Sequence, residues 1–320
     1  MKKSRNLKKL NFDDLITYSP WPKRILDIER FDIRYKSPSS IHKEFNIEKW
    51  GAFQKYQKNN INLDIVDNYF ERFDENMCYV YRNNFYLDKG RYVFENHINV
   101  YSKIIEKYLE DSDSLVELGA GYGSKIINIS KKNKFKKLKL FAAEYTEKGM
   151  ELMDIVAKKE LKNIKIGFCD FFNLSLKDLK IPKKSIIFTS YSLHYIKKYN
   201  DKLVSFFLDH DPKVVINFEP CYELYSIESI YGLMCKKYNM INDYNINLYS
   251  LLKKNADKGH ISLEVKKNIL GSNPFLPISI LIWSKSLVSN PAWSLAFNIY
   301  NLYYFSSIFS TFSFTLFFVS

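Results

Sequence analysis

The chain is poor in the residues that build small cross-linked or metal-stapled folds. Its four cysteines, Cys78, Cys169, Cys221 and Cys235, include no C-x-x-C pair and no Cys/His group. That spacing excludes a disulfide framework and a zinc ribbon, and no metal is expected. Ten glycines and nine prolines among 320 residues are too few for a collagen-like or low-complexity chain. The basic start is followed by no long apolar run, so nothing there reads as a signal peptide. With unpaired thiols as well, the expected compartment is the cytoplasm. No aromatic RNP pattern of an RNA-binding module occurs. Charge disappears in one place: no charged residue follows Lys285.

What is present is a globular composition, 46% hydrophobic and 26% charged, with an aromatic content of 17%. Lys, Asn, Ile, Phe and Tyr share A/T-rich codons, so a biased genome accounts for their abundance. The net charge of +13 would attract nucleic acid or anionic surfaces if it were concentrated. The lysines are instead spread along the chain, apart from clusters at 1–9 and 131–139, and solvated faces explain them.

The most informative stretch is LVELGAGYGS at 115–124. An apolar strand runs into Gly119, Gly121 and Gly123, and a helix-like segment follows. A strand-to-helix turn that brings a nucleotide-like ligand against backbone needs glycine, because a Cβ would block the ligand or forbid the backbone angles. The dinucleotide fingerprint is G-x-G-x-x-G/A. Here the third glycine comes one position early, and Ser124 stands where Gly or Ala belongs. Further apolar runs follow at 138–144, 164–170, 185–190 and 213–219, separated by helix-like segments, as buried parallel strands require. The second ends in Glu144, the third in Asp170, and the fifth in Glu219 before Pro220. A carboxylate at the end of the second strand can accept hydrogen bonds from ribose hydroxyls. Two more strands, at 261–268 and 277–283, flank a loop with Gly271 and Pro274.

The G-x-G-x-G pattern, with Glu117 two residues before the first glycine, resembles motif I of the class I S-adenosylmethionine-dependent methyltransferases, and the likeness extends over 95–284. It implies an α/β fold with a Rossmann-like doubly wound, mostly parallel sheet of about seven strands and an antiparallel closing strand. It also implies S-adenosylmethionine as cofactor. Carried over position by position, it assigns Glu117, Gly119, Gly121 and Gly123 to the cofactor turn and Glu144 to the adenosyl ribose. Asp170 would meet the adenine amino group, Phe171 would cover the ring, and Ser190 would close the site at the end of the fourth strand.

Three regions follow from this reading. Residues 1–94 are an aromatic N-terminal extension, either a lid or simple packing, with a helix predicted over 64–73 and another over 90–109. Residues 95–285 are the cofactor domain, with an insertion at 222–258. Residues 286–320 are an apolar tail. Its stretch 302–319 is about one membrane span long, but six of its 18 residues are Ser or Thr. Three readings stay open: a marginal anchor giving membrane contact, a packed or dimerising tail, or out-of-frame translation.

For the chemistry, methyl transfer needs alignment and desolvation, and a base where the acceptor is a hydroxyl. His194, just after the fourth strand, is the expected base, because active-site residues of open α/β sheets sit outside the carboxyl ends of strands. Glu219 is expected to orient His194 or to hold the acceptor. Thr189-Ser-Tyr-Ser stands where amino methyltransferases carry Asn/Asp-Pro-Pro-Tyr. The expected acceptor is therefore a small molecule, a hydroxyl of a sugar or other metabolite. The competing readings are a nicotinamide-dependent oxidoreductase, a non-catalytic binding or scaffold protein, and a nucleic-acid methyltransferase.

Overall fold

The computed structural model describes residues 7–27, 32–57 and 60–286, so the candidate span 302–319 lies outside the described residues. The N-terminal region begins with β1 (Lys8–Leu10) and two short helices, α1 (Leu15–Tyr18) and α2 (Trp21–Ile25). A longer helical stretch then consists of α3 (Pro38–His42), a π-helical stretch Lys43–Gly51 and α4 (Ala52–Tyr56). Ser37 opens it with a reciprocal capping box to Ser40. Next, α5 (Leu63–Glu71) starts at Asn62, whose side chain accepts from the Ile65 amide at 3.0 Å. Strands β2 (Asn76–Tyr81) and β3 (Asn84–Lys89) form a hairpin. Its turn residues Arg82 and Asn83 both have positive φ, 48° and 60°, as a two-residue turn matched to strand twist requires. The region closes with α6 (Gly90–Ile105), which packs Val93, Ile98, Tyr101 and Ile105 inward.

From there strands and helices alternate: β4 (Ser114–Leu118), α7 (Ser124–Ser130), β5 (Lys139–Glu144), α8 (Glu147–Lys159), β6 (Ile164–Asp170), the short β7 (Ser175–Lys177), β8 (Ile186–Ser190), α9 (Lys202–Leu208) and β9 (Val214–Pro220). Helices α10 (Ile230–Ile241) and α11 (Leu248–Asp257) fill the stretch before the closing pair β10 (Ile261–Gly271) and β11 (Ile278–Lys285).

All pair in one sheet, in the order β1-β3-β2-β10-β11-β9-β8-β4-β5-β6-β7. The five central strands β9, β8, β4, β5 and β6 are parallel, and β11 runs antiparallel beside β9. Buried on both faces, β4, β8 and β9 read as continuous apolar runs, which is how central parallel strands look in sequence. Alternate side chains enter opposite cores. Leu115, Phe188 and Ile216 face α6, α7 and α8, whereas Val116, Ile187 and Val215 face α9 and α11.

The sheet has eleven strands where about seven are expected. Two devices account for the excess. The register of β10 against β11 shifts at a bulge between Lys266 and Leu270, and beyond it Leu270 pairs with Ile278 of β11 on one side while Leu270 and Gly271 pair with Tyr81 and Val80 on the other. The hairpin β2–β3 and then β1 thereby join the sheet, and the N-terminal extension is continuous with the core. At the other edge β7 folds back on β6. The order reverses between β4 and β8, and that switch point opens a crevice at the carboxyl ends of the strands.

Candidate functional site

The glycine turn after β4 is held by neighbours that leave no room for a side chain at Gly119 or Gly123. Gly119 has φ 73°, and a Cβ there would stand 2.4 Å from Ser192 Cβ. Gly121 has φ 58°, and its amide donates to Glu144 Oε2 at 2.9 Å. Glu144 Oε1 accepts from the amide and hydroxyl of Thr146, at 3.2 and 2.8 Å. Burial raises the Glu144 carboxyl, and these donors oppose the shift. Glu117 bends toward α7 and accepts from the Ile126 amide at 3.0 Å. Its burial pushes the carboxyl up to about 8, against the pull of Lys125. Gly123 caps α7 and packs on Met153, and it does not line the cleft.

The cleft holds about 210 Å³. Glu117, Gly119, Gly121, Glu144, Phe171 and Ser190 all line it. Trp50, from the π-helical stretch, lies across the turn, with its indole 5.3 Å from the ring of Tyr122 and 4.7 Å from that of Phe70. The indole Nε1 is buried and has no hydrogen-bond partner among the described residues. Asp170 is placed differently from its expected role. Its Oδ1 accepts from the amides of Phe172 and Asn173, at 2.7 and 3.3 Å, and its Oδ2 from Asn173 Nδ2 at 2.7 Å. The carboxylate thus caps its own turn, and Phe171 and Phe172 beside it line the cleft instead.

His194 and Glu219 come together, but beside a second chamber of about 350 Å³. His194 Nδ1 lies 3.4 Å from Glu219 Oε2 without forming a hydrogen bond. Glu219 is fully buried and accepts from the amides of Ser192 and Leu193, so it fixes the turn that carries the histidine. Burial lowers the His194 pKa, against the opposing pull of Glu219, which favours the neutral ring. The ring packs 4.0 Å from Tyr195 and edge-on to Tyr244 at 4.5 Å. Tyr191 holds a positive φ of 51°, a strained setting for a large residue and one that recurs at functional sites. The cleft and the chamber share Tyr191, Tyr195 and Lys125 as walls. Tyr101 of the chamber also bonds Ser190 of the cleft, oxygen to oxygen, at 3.0 Å. Trp50 and Tyr101 are not legible as lining residues in the sequence, since nothing local distinguishes them from core aromatics.

No protein-family profile matches the chain, and no curated protein matches it in sequence. Solved structures resemble it distantly. A magnesium protoporphyrin IX methyltransferase from Synechocystis PCC 6803 with bound S-adenosylhomocysteine aligns with 78% of this chain and 99% of its own, at 13% identity and a TM-score of 0.45. The methyltransferase domain of a bacterial Hen1 aligns with 61% of this chain and 99% of its own, at 12% identity and a TM-score of 0.42. The plantazolicin methyltransferase, in complex with a substrate analogue and S-adenosylhomocysteine, aligns with 78% and 98%, at 13% identity and a TM-score of 0.41. The fold is of the class I methyltransferase kind. That rests on the strand order, with its switch at β4 and β8 and the antiparallel β11 inserted between β9 and β10. What the site does has to be argued from its own residues.

Proposed function

We propose that the protein is an S-adenosylmethionine-dependent methyltransferase acting on a small hydroxylated acceptor. The observation that carries this reading is the shared wall. A glycine turn tied to a buried carboxylate stands on one side of Tyr191 and Tyr195, and an aromatic chamber with a buried histidine on the other.

The cleft suits the cofactor in two respects. The backbone at Gly121 is open except for the Trp50 ring, and the Trp50 N–H lacks an acceptor that a ligand oxygen would supply. Glu144 would receive the ribose hydroxyls, with Trp50 donating nearby. Glu117 stands behind the turn, Phe171 lies against Gly119, and Ser190 lines the same cleft. When bound, the cofactor supplies an activated methyl group.

The chain's own work is alignment and water exclusion. Holding two reactants in register contributes roughly 7–11 kcal/mol in favourable cases. His194, kept neutral by burial, accepts the proton of the acceptor hydroxyl at a ring nitrogen. Glu219 stands close enough to steady the imidazolium that results. The test is transfer of labelled methyl to a panel of phenols, sugars and other hydroxylated metabolites. Transfer suppressed by S-adenosylhomocysteine supports the reading. Cofactor binding with no transfer to any acceptor, RNA and DNA included, supports a binding protein instead.

A further inference from the structure

A histidine on the wall of the second chamber has a buried ring nitrogen with no donor facing it. His97 lies on α6, and its Nδ1 is 2.9 Å from the carbonyl oxygen of Val93. A carbonyl only accepts, so Nδ1 carries the proton and Nε2 the lone pair. Nε2 is buried and has no hydrogen-bond partner among the described residues, and His97 lines the chamber. Burial lowers the His97 pKa to about 4, so the ring is neutral near pH 7 and too weak a base to keep an abstracted proton. Buried polar atoms are almost always paired, and an orphan beside a cavity marks a place where a ligand or an ordered water completes the bond.

The rest of the chamber describes what that ligand looks like. Phe94, Tyr101, Tyr191, Tyr238 and Tyr244 supply flat apolar walls. The three charged groups of the wall are all paired, Lys125 with Glu71 at 3.6 Å and Lys49 with Glu44 at 2.8 Å, which leaves none calling for a charged partner. A flat, uncharged body suits such walls, and one donor suits the lone pair.

We propose, building on the methyltransferase reading, that the acceptor is an uncharged aromatic compound with a second donor, a hydroxyl or ring N–H other than the group that gives its proton to His194, and that this donor bonds His97 Nε2. His97 is then a specificity residue that touches the substrate, separate from His194. It selects acceptors that carry a donor over analogues that have lost one, because the analogue leaves the nitrogen unpaired.

The experiment uses the full chain saturated with S-adenosylhomocysteine and two probes, phenol, which donates, and anisole, which does not. Wild type is expected to bind phenol about 3- to 10-fold more tightly. His97→Asn can keep the bond to Val93 while removing the Nε2 lone pair, and should abolish the preference. His97→Gln presents an amide oxygen near the Nε2 position and should restore it in part. Equal binding of both probes by wild type overturns the proposal and leaves the cofactor reading standing. The ¹⁵N signal of His97 Nε2 gives a second measurement on the unaltered protein. It should shift on addition of phenol and stay in place with anisole, and a signal unmoved by phenol overturns the proposal even where the variants do not fold. Failure to bind S-adenosylhomocysteine is seen before any probe is added, and removes the methyltransferase reading and this proposal with it.

Discussion

Glu144 Oε2 accepts the Gly121 amide at 2.9 Å, which ties the end of β5 to the turn that follows β4. One carboxylate thus organises the backbone of the glycine turn and lines the cleft. Hydrogen bonds to a charged group are worth about 1.5–3 kcal/mol each. Glu144→Ala is therefore expected to weaken S-adenosylhomocysteine binding on the order of 10- to 100-fold while the protein stays folded. An unchanged dissociation constant would remove Glu144 from the site.

Trp50 gives a more selective test. Trp50→Phe keeps an aromatic ring over the turn and deletes the unpaired N–H. The expected loss in cofactor-product affinity is about 3- to 10-fold, the size of one hydrogen bond. Tryptophan fluorescence of wild type should change on binding, and the change should shrink in the variant. Equal affinity and an equal fluorescence change would mean that the indole only packs.

His194→Ala separates chemistry from binding. Turnover with a hydroxyl acceptor should fall by about 10²–10⁴-fold, the usual worth of a positioned base. Affinity for S-adenosylhomocysteine should stay within about twofold, because His194 lines the acceptor chamber and not the cleft. Normal turnover in the variant would take His194 out of the mechanism.

Glu117 makes stability depend on pH in a definite direction. Its folded carboxyl titrates near 8, above the ordinary value of 4.5, because the site is buried. Between those values the folded chain binds the extra proton, so stability is fully present below about pH 4.5 and is lost as pH rises through 8. Asp67, raised to about 6, acts mainly below this window. His97, His194 and His210, all lowered by burial, still titrate near their ordinary value in the unfolded chain and oppose the loss at its lower end. Between pH 6.5 and 8, urea unfolding of wild type should therefore lose about 2 kcal/mol more than that of Glu117→Gln. The same slope in both proteins would assign it to another group.

Much of this arrangement is legible along the chain because it is local. The glycine turn, the strand ends at Glu144 and Glu219, and His194 after β8 each follow from short patterns. The cleft and the two chamber residues are then positioned by the parallel strand order. What was hidden depends on contacts between distant segments. Trp50 reaches the turn only because the helical stretch from Ser37 folds over it, and nothing in its local sequence says so. The β10 bulge that admits three more strands looks like an ordinary polar interruption, Lys266-Lys-Asn268. Asp170 stands where a binding carboxylate was expected, but its oxygens accept from Phe172 and Asn173, and it lies outside the lining of the cleft. The motif order gives the strand end, and the neighbouring turn decides how the carboxylate is held.

The central claim is that the cleft beside Gly121 and Glu144 holds S-adenosylmethionine. Calorimetric titration of the full chain with S-adenosylhomocysteine, and separately with NAD, tests it most directly. The account predicts saturable, one-to-one, micromolar binding of the first and none of the second. No heat with S-adenosylhomocysteine from a protein shown to be folded, or binding of NAD instead, would contradict it.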